Sequence, residues 1–125
     1  STLFPYTTLF RSAFARAALE AEGWEVVPAS SGFEALKLLP RGRFDLVVSD
    51  INMPDITGLE LVRHLRHSQV HANVPVLLIS TDGAERDRER GLRLGANAYL
   101  VKPFTPEALI EAARRLLAGA TAAAT

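Results

Sequence analysis

Three short apolar runs, each closed by one polar residue, constrain this chain more than any other feature: Leu46-Val47-Val48-Ser49 before Asp50, Val76-Leu77-Leu78-Ile79 before Ser80, and Ala98-Tyr99-Leu100-Val101 before Lys102. Uninterrupted apolar runs of this length, bounded by polar residues, are expected of strands covered on both faces. Helical patterns lie between them. Ser31 with Glu34 forms a capping box opening a helix with Ala35, Leu36 and Leu39 inward, stopped by Pro40 and Gly42. Thr57 with Glu60 forms a second box ahead of Leu61, Val62 and Leu65. Glu85–Leu94 is a charged helix ending at Gly95, and Thr105 caps a last helix with Pro106 at its first position. Leu109, Ile110, Ala113, Leu116 and Leu117 make the apolar stripe of that helix.

Upstream the pattern repeats. Phe14, Ala15, Ala18 and Leu19 recur at helical spacing, and Gly23 stands where a helix-ending glycine belongs. Trp24–Ala29 reads as a strand whose Pro28 argues against a fully paired central position. Strands alternating with helices specify an α/β fold, a doubly wound parallel sheet with helices on both faces. Four strands are clear, and a fifth belongs at the N-terminus. There Leu3 and Phe4 offer a makeshift strand that Pro5 would limit, so a degraded first strand is expected.

Size and charge narrow the function. A chain of 125 residues is one domain. Fourteen Lys+Arg balance fourteen Asp+Glu, so the basic excess of a nucleic-acid module is missing. No apolar run is long enough to span a membrane. The absence of cysteine excludes a disulfide framework, thiolate metal sites and a cysteine nucleophile, and is compatible with the cytoplasmic location expected of this chain without showing it.

In such a sheet, ligands bind outside the carboxyl ends of the strands. A carboxylate (Asp50), a hydroxyl (Ser80) and a cation (Lys102) therefore converge on one crevice. Asp50 to Gly58 has the form D-x-x-M-P-x-x-x-G through Met53, Pro54 and Gly58, and Lys102-Pro103-Phe104 follows the last run. In order and spacing these motifs resemble the response-regulator receiver domain, above all its single-domain chemotaxis type, from Ala13 to about Leu117. The resemblance implies a flavodoxin-like sheet of five strands in the order 2-1-3-4-5. It implies a signalling module rather than an enzyme, with Asp50 as the phosphoacceptor. The donor would be a phosphohistidine on a sensor histidine kinase or phosphotransfer protein. Ser80 and Lys102 would bind the phosphoryl oxygens, and Tyr99 would follow Ser80 as a switch. Mg²⁺ would be held by Asp50 and the Asn52 backbone carbonyl. Pro54, Gly58 and a cis peptide before Pro103 would be structural. The last two helices and last strand would meet an output partner or effector domain, without direct contact with nucleic acid or membrane.

Departures from that pattern carry their own expectations. The family's acidic pair after the first strand, counted back from Gly23, falls on Tyr6 and Thr7. Unit charges about 4 Å apart interact by about 4 kcal/mol at an effective dielectric of 20, so weak Mg²⁺ binding is expected. Thr2–Ser12, TLFPYTTLFRS, resembles the translation of a sequencing adapter. Residues 1–12 are accordingly set apart from a receiver at 13–117 and an Ala/Thr tail or truncated linker at 118–125. Thr81 and Asp82 would flank the entrance to Asp50. A pseudo-receiver working without phosphorylation is the alternative, favoured by the missing acids. A covalent phosphatase is a third, disfavoured because Asn52 stands where such enzymes carry a second Asp. His64, His67 and His71 read as solvated surface rather than a metal site. Glu85–Arg90 reads as a solvated helical face that borders the output surface.

Overall fold

The structure, a computed structural model, describes residues 3–7, 12–53, 55–80 and 85–124. Five strands, β1 (Leu3–Thr7), β2 (Glu25–Ala29), β3 (Val47–Asp50), β4 (Val76–Ser80) and β5 (Ala98–Val101), alternate with five helices. The helices are α1 (Ser12–Glu20), α2 (Gly32–Leu38), α3 (Gly58–Arg66), α4 (Glu85–Leu94) and α5 (Pro106–Ala124). The sheet is parallel in the order β2-β1-β3-β4-β5, as the resemblance implied.

Alternation along the central strands builds two cores. Val47, Val76 and Leu78 join Ala35, Leu61, Val62 and Leu65 on the face covered by α2 and α3. Leu46, Val48, Leu77 and Ile79 join Leu19, Leu109 and Ala113 on the face covered by α1 and α5. Each leucine or valine withdrawn from water in this way contributes about 1.5–3 kcal/mol, and strands buried on both faces therefore read as continuous apolar runs. Arg114 of α5 pairs with Glu22, just past α1.

The caps follow the sequence with one change. Thr57 and Glu60 complete both arms of a capping box, Glu60 N–H to Thr57 Oγ1 and Thr57 N–H to Glu60 Oε1, each 3.1 Å. Ser31 Oγ accepts the Glu34 N–H at 3.1 Å, but the Glu34 carboxylate takes the N–H of Ser30 instead of Ser31, at 2.7 Å. Thr105 Oγ1 accepts the Ala108 N–H at 3.1 Å. Gly23 closes the turn after α1 at φ 87°.

Three expectations are corrected, on the first strand, the strand ends and His71. The first strand is not degraded: β1 runs five residues and pairs with β2 along its whole length. Its ladder with β3 starts only at Tyr6, past Pro5, so the proline has no partner on that side. Trp24 and Leu46 lie outside the strands, while Asp50 and Ser80 are their last residues and not the first beyond them. The Ala/Thr segment continues α5 to Ala124, in keeping with the helix preference of alanine. His71 is buried, 4% exposed, whereas His64 and His67 are exposed as expected. It stacks on Phe44 with ring centroids 5.9 Å apart.

Candidate phosphoacceptor site

The carboxyl rim of the sheet gathers the three predicted side chains because β3, β4 and β5 are consecutive neighbours. Asp50 pairs in register with Ile79, and Ser80 with Val101, so the ends of the three strands lie within one residue of each other. The backbone carries the ladder beyond the strands: Ile51 N–H donates to the Ile79 carbonyl at 2.9 Å and Lys102 N–H to the Ser80 carbonyl at 2.7 Å. Lys102 is thereby held one residue past β5, and its peptide bond to Pro103 is cis.

Lys102 Nζ lies 3.1 Å from Asp50 Oδ1, with side-chain exposures of 18% and 5%. Ser80 is buried beside them. A desolvated ion pair of this kind is tolerated only when geometry and further polar contacts repay its loss of water. Tyr99 packs against the α2–α3 core, and its Oη is sealed from solvent with no hydrogen-bond partner among the described residues. Asn52 is exposed just after Asp50.

Gly58 explains part of the motif. Its N–H donates to the Ile51 carbonyl at 2.7 Å, and a Cβ there would stand 2.4 Å from the Asp50 carbonyl oxygen. The segment after Asp50 thus folds back on itself so closely that no side chain fits at its far end. Pro54, Thr81 and Asp82 lie outside the described residues.

Two residues that the sequence did not single out make long-range contacts: one ties down the segment after Asp50, and the other joins elements away from it. The Asp55 carboxylate accepts three backbone N–H bonds, from Gly32, Phe33 and Ile56. Chiefly through the Phe33 bond, this holds its pKa below the ordinary carboxylate value. Arg66 donates to the carbonyls of Gly95 and Ala72 and to Asn97 Oδ1, joining α3 to the segments before β4 and β5. A lone Asp in a loop and one Arg in a charged helix carry no periodic signal, so neither stood out.

The donor set does not fit a tightly held divalent cation. Among the described residues Asp50 is its one carboxylate, already paired with Lys102. Tyr6 and Thr7 occupy the carboxyl end of β1 next to Val48 and Ser49, and no Asp or Glu precedes Glu20. Among the described residues no three His, Asp or Glu side chains cluster as a metal site. Magnesium prefers one or two carboxylates with water and phosphate oxygens, and the carboxylate described here, Asp50, already has a cation beside it.

An ion-paired Asp at the carboxyl rim of a 2-1-3-4-5 sheet, with a Lys after the last strand and a hydroxyl between, defines a receiver. The family model of the response regulator receiver domain matches residues 8–114, and the chain belongs to that family, a module of two-component signalling. The protein named "Probable transcriptional regulator ycf29" of Porphyra purpurea is 40% identical over 96 residues, 77% of this chain and 46% of that protein. The chain thus spans less than half the length of this relative. The chemotaxis response regulator CheY4 of Vibrio cholerae superposes with a TM-score of 0.87 at 32% identity, covering 92% of this chain and 98% of that one. The receiver domain of sensor histidine kinase PA1611 from Pseudomonas aeruginosa PAO1 shares the fold, with a TM-score of 0.86 at 24% identity over 94% of this chain and 98% of that one. That domain has a magnesium ion coordinated in its active-site cleft.

Proposed function

We propose that Asp50 is the residue on which this receiver takes a phosphoryl group, from a phosphohistidine of a sensor kinase or phosphotransfer protein. A carboxylate oxygen of Asp50 attacks phosphorus as the P–N bond breaks. The electron pair stays on the imidazole nitrogen, which takes up a proton from solvent. Such transfers need alignment and charge neutralisation more than covalent help. The ammonium of Lys102 supplies positive charge beside the nucleophile before the anionic donor arrives, and remains in place to meet the transferred oxygens. The Ser80 hydroxyl, on the adjoining strand end, is the second phosphoryl-binding group. Tyr99 two positions upstream of Val101 links that event to the surface formed by α4, β5 and α5, where an output partner or effector domain would read it. This is a shift between two populated arrangements and requires no new fold.

The observation that supports this reading best is the 3.1 Å contact between Lys102 and the buried Asp50 at the rim. Incubation with acetyl phosphate or a phosphorylated histidine kinase, followed by intact-mass measurement, tests it. One phosphoryl group per chain is expected, absent in Asp50→Ala and slowed at least tenfold in Lys102→Ala. Label that persists in Asp50→Ala refutes the assignment, and a wild-type chain that takes none favours a module that binds its partner without phosphorylation.

A further inference from the structure

We propose that Asp55, five residues beyond the acceptor, is a positioning residue for phosphoryl acceptance: it ties the segment following Asp50 to the start of α2 and so fixes where Asp50 points. The proposal rests on Asp50 being the acceptor. Three observations meet here. Asp55 Oδ1 accepts the N–H groups of Gly32 at 3.2 Å and Ile56 at 2.8 Å, while Oδ2 accepts that of Phe33 at 2.7 Å. Gly32, the first residue of α2, is pressed against the same segment: a Cβ there would stand 2.2 Å from Ile56 Cγ1 and 2.8 Å from its Cδ1. At the other end Gly58 closes on Ile51 and on the carbonyl of Asp50 itself.

The segment between Asp50 and α3 is therefore pinned twice. Gly58 pins its ends together, and Asp55 pins its outer part to a different element. Asp50 is the last residue of β3, so its main chain has the sheet on one side and this segment on the other. If the outer pin is released, the direction of the acceptor rests on Gly58, the neighbouring strands and the Lys102 contact, with nothing holding the outer part of the segment to α2 through Asp55. Charge-assisted bonds from backbone N–H groups to a carboxylate are about twice as strong as neutral ones, which suits them to this task. A misplacement of about 1 Å in a reacting group costs about a hundredfold in rate, so a small drift suffices.

The experiment compares Asp55→Ala and Asp55→Asn with Arg66→Ala, whose side chain bridges elements away from the acceptor. Two readings are taken at a temperature where urea titration shows every variant folded. One is the rate of acetyl phosphate labelling, the other amide hydrogen exchange at Gly58 relative to Leu78 in β4. Asp55→Ala is expected to lose at least tenfold in labelling rate and to exchange Gly58 at least tenfold faster relative to Leu78. Asp55→Asn, which keeps an acceptor for Gly32 and Ile56 but turns an amide donor toward Phe33, is expected to fall between. Arg66→Ala is expected to stay within twofold on both readings. Equal slowing in Arg66→Ala and Asp55→Ala, or an unchanged Gly58 ratio in Asp55→Ala, overturns the proposal. A wild-type chain that takes no label defeats the acceptor reading instead, and the Gly58 ratio then decides whether Asp55 holds the segment.

Discussion

At the scale of single residues, burial turns ordinary side chains into titrating or structural devices. His71 is held between Phe44 and the Gly42 carbonyl; burial lowers its pKa from the ordinary 6.5, and the bond to Gly42 opposes that in part. The folded state thus keeps the imidazole neutral where the unfolded chain would protonate it. The contribution of His71 is fully present above pH 6.5 and is lost as the pH falls below it toward the folded value. Urea unfolding at pH 7.5 and 5.0 should show a loss of stability on acidification, smaller in His71→Leu; an equal loss in both would remove His71 as a cause. Asp55 has the same sign at lower pH: its contribution holds above the ordinary carboxylate value and fades as the pH falls through its lowered one. The sequence carried neither effect. His71 sits among polar and exposed residues, and Phe44, far from it in the chain, packs against it. Asp50 and Lys102 were legible because each directly follows an apolar run.

Among the elements, capping chemistry was legible and its details were not. The Thr57–Glu60 box at the start of α3 formed as read, since both partners lie within one turn. Thr57→Ala is expected to lower stability by about 1 kcal/mol, measurable as a fall in urea midpoint at unchanged slope. A fall of several kcal/mol would mean that Thr57 does more than cap. At α2 the carboxylate of Glu34 reached Ser30 instead of Ser31, and Asp55 took the next two N–H groups of that helix. Local spacing could not foresee this, because the competing acceptor arrives from 22 residues away or more. The Glu85–Leu94 helix kept its expected bounds, and the residues of it whose side chains are described are mostly exposed and charged.

For the whole molecule, the arrangement of strands decides what the rim can bind. Placing β1 between β2 and β3 brings Tyr6 and Thr7 beside Val48 and Ser49, at the edge of the proposed acceptor site, where the resemblance calls for two acids. Replacing both by Asp is expected to make acetyl phosphate labelling respond to added Mg²⁺, with the response lost again on Asp50→Ala. Isothermal titration with Mg²⁺ alone gives an independent reading, expected to show at least tenfold tighter binding in the double variant. Equal binding before and after the replacement would show that these two positions are not the ones that matter. Among the described residues no helix is long and apolar enough to cross a membrane.

By itself the order of residues determined the alternation of strand and helix, the inward stripes and the three polar residues at strand ends. Each of these is a matter of local period and burial, written within a few neighbouring positions. Tertiary structure alone decided that β1 pairs despite Pro5, that Lys102 closes to 3.1 Å on Asp50, that His71 is buried, and that Asp55 clasps α2. Those outcomes depend on groups far apart in the chain meeting in space, and on the loss of water when they do, which no local pattern encodes.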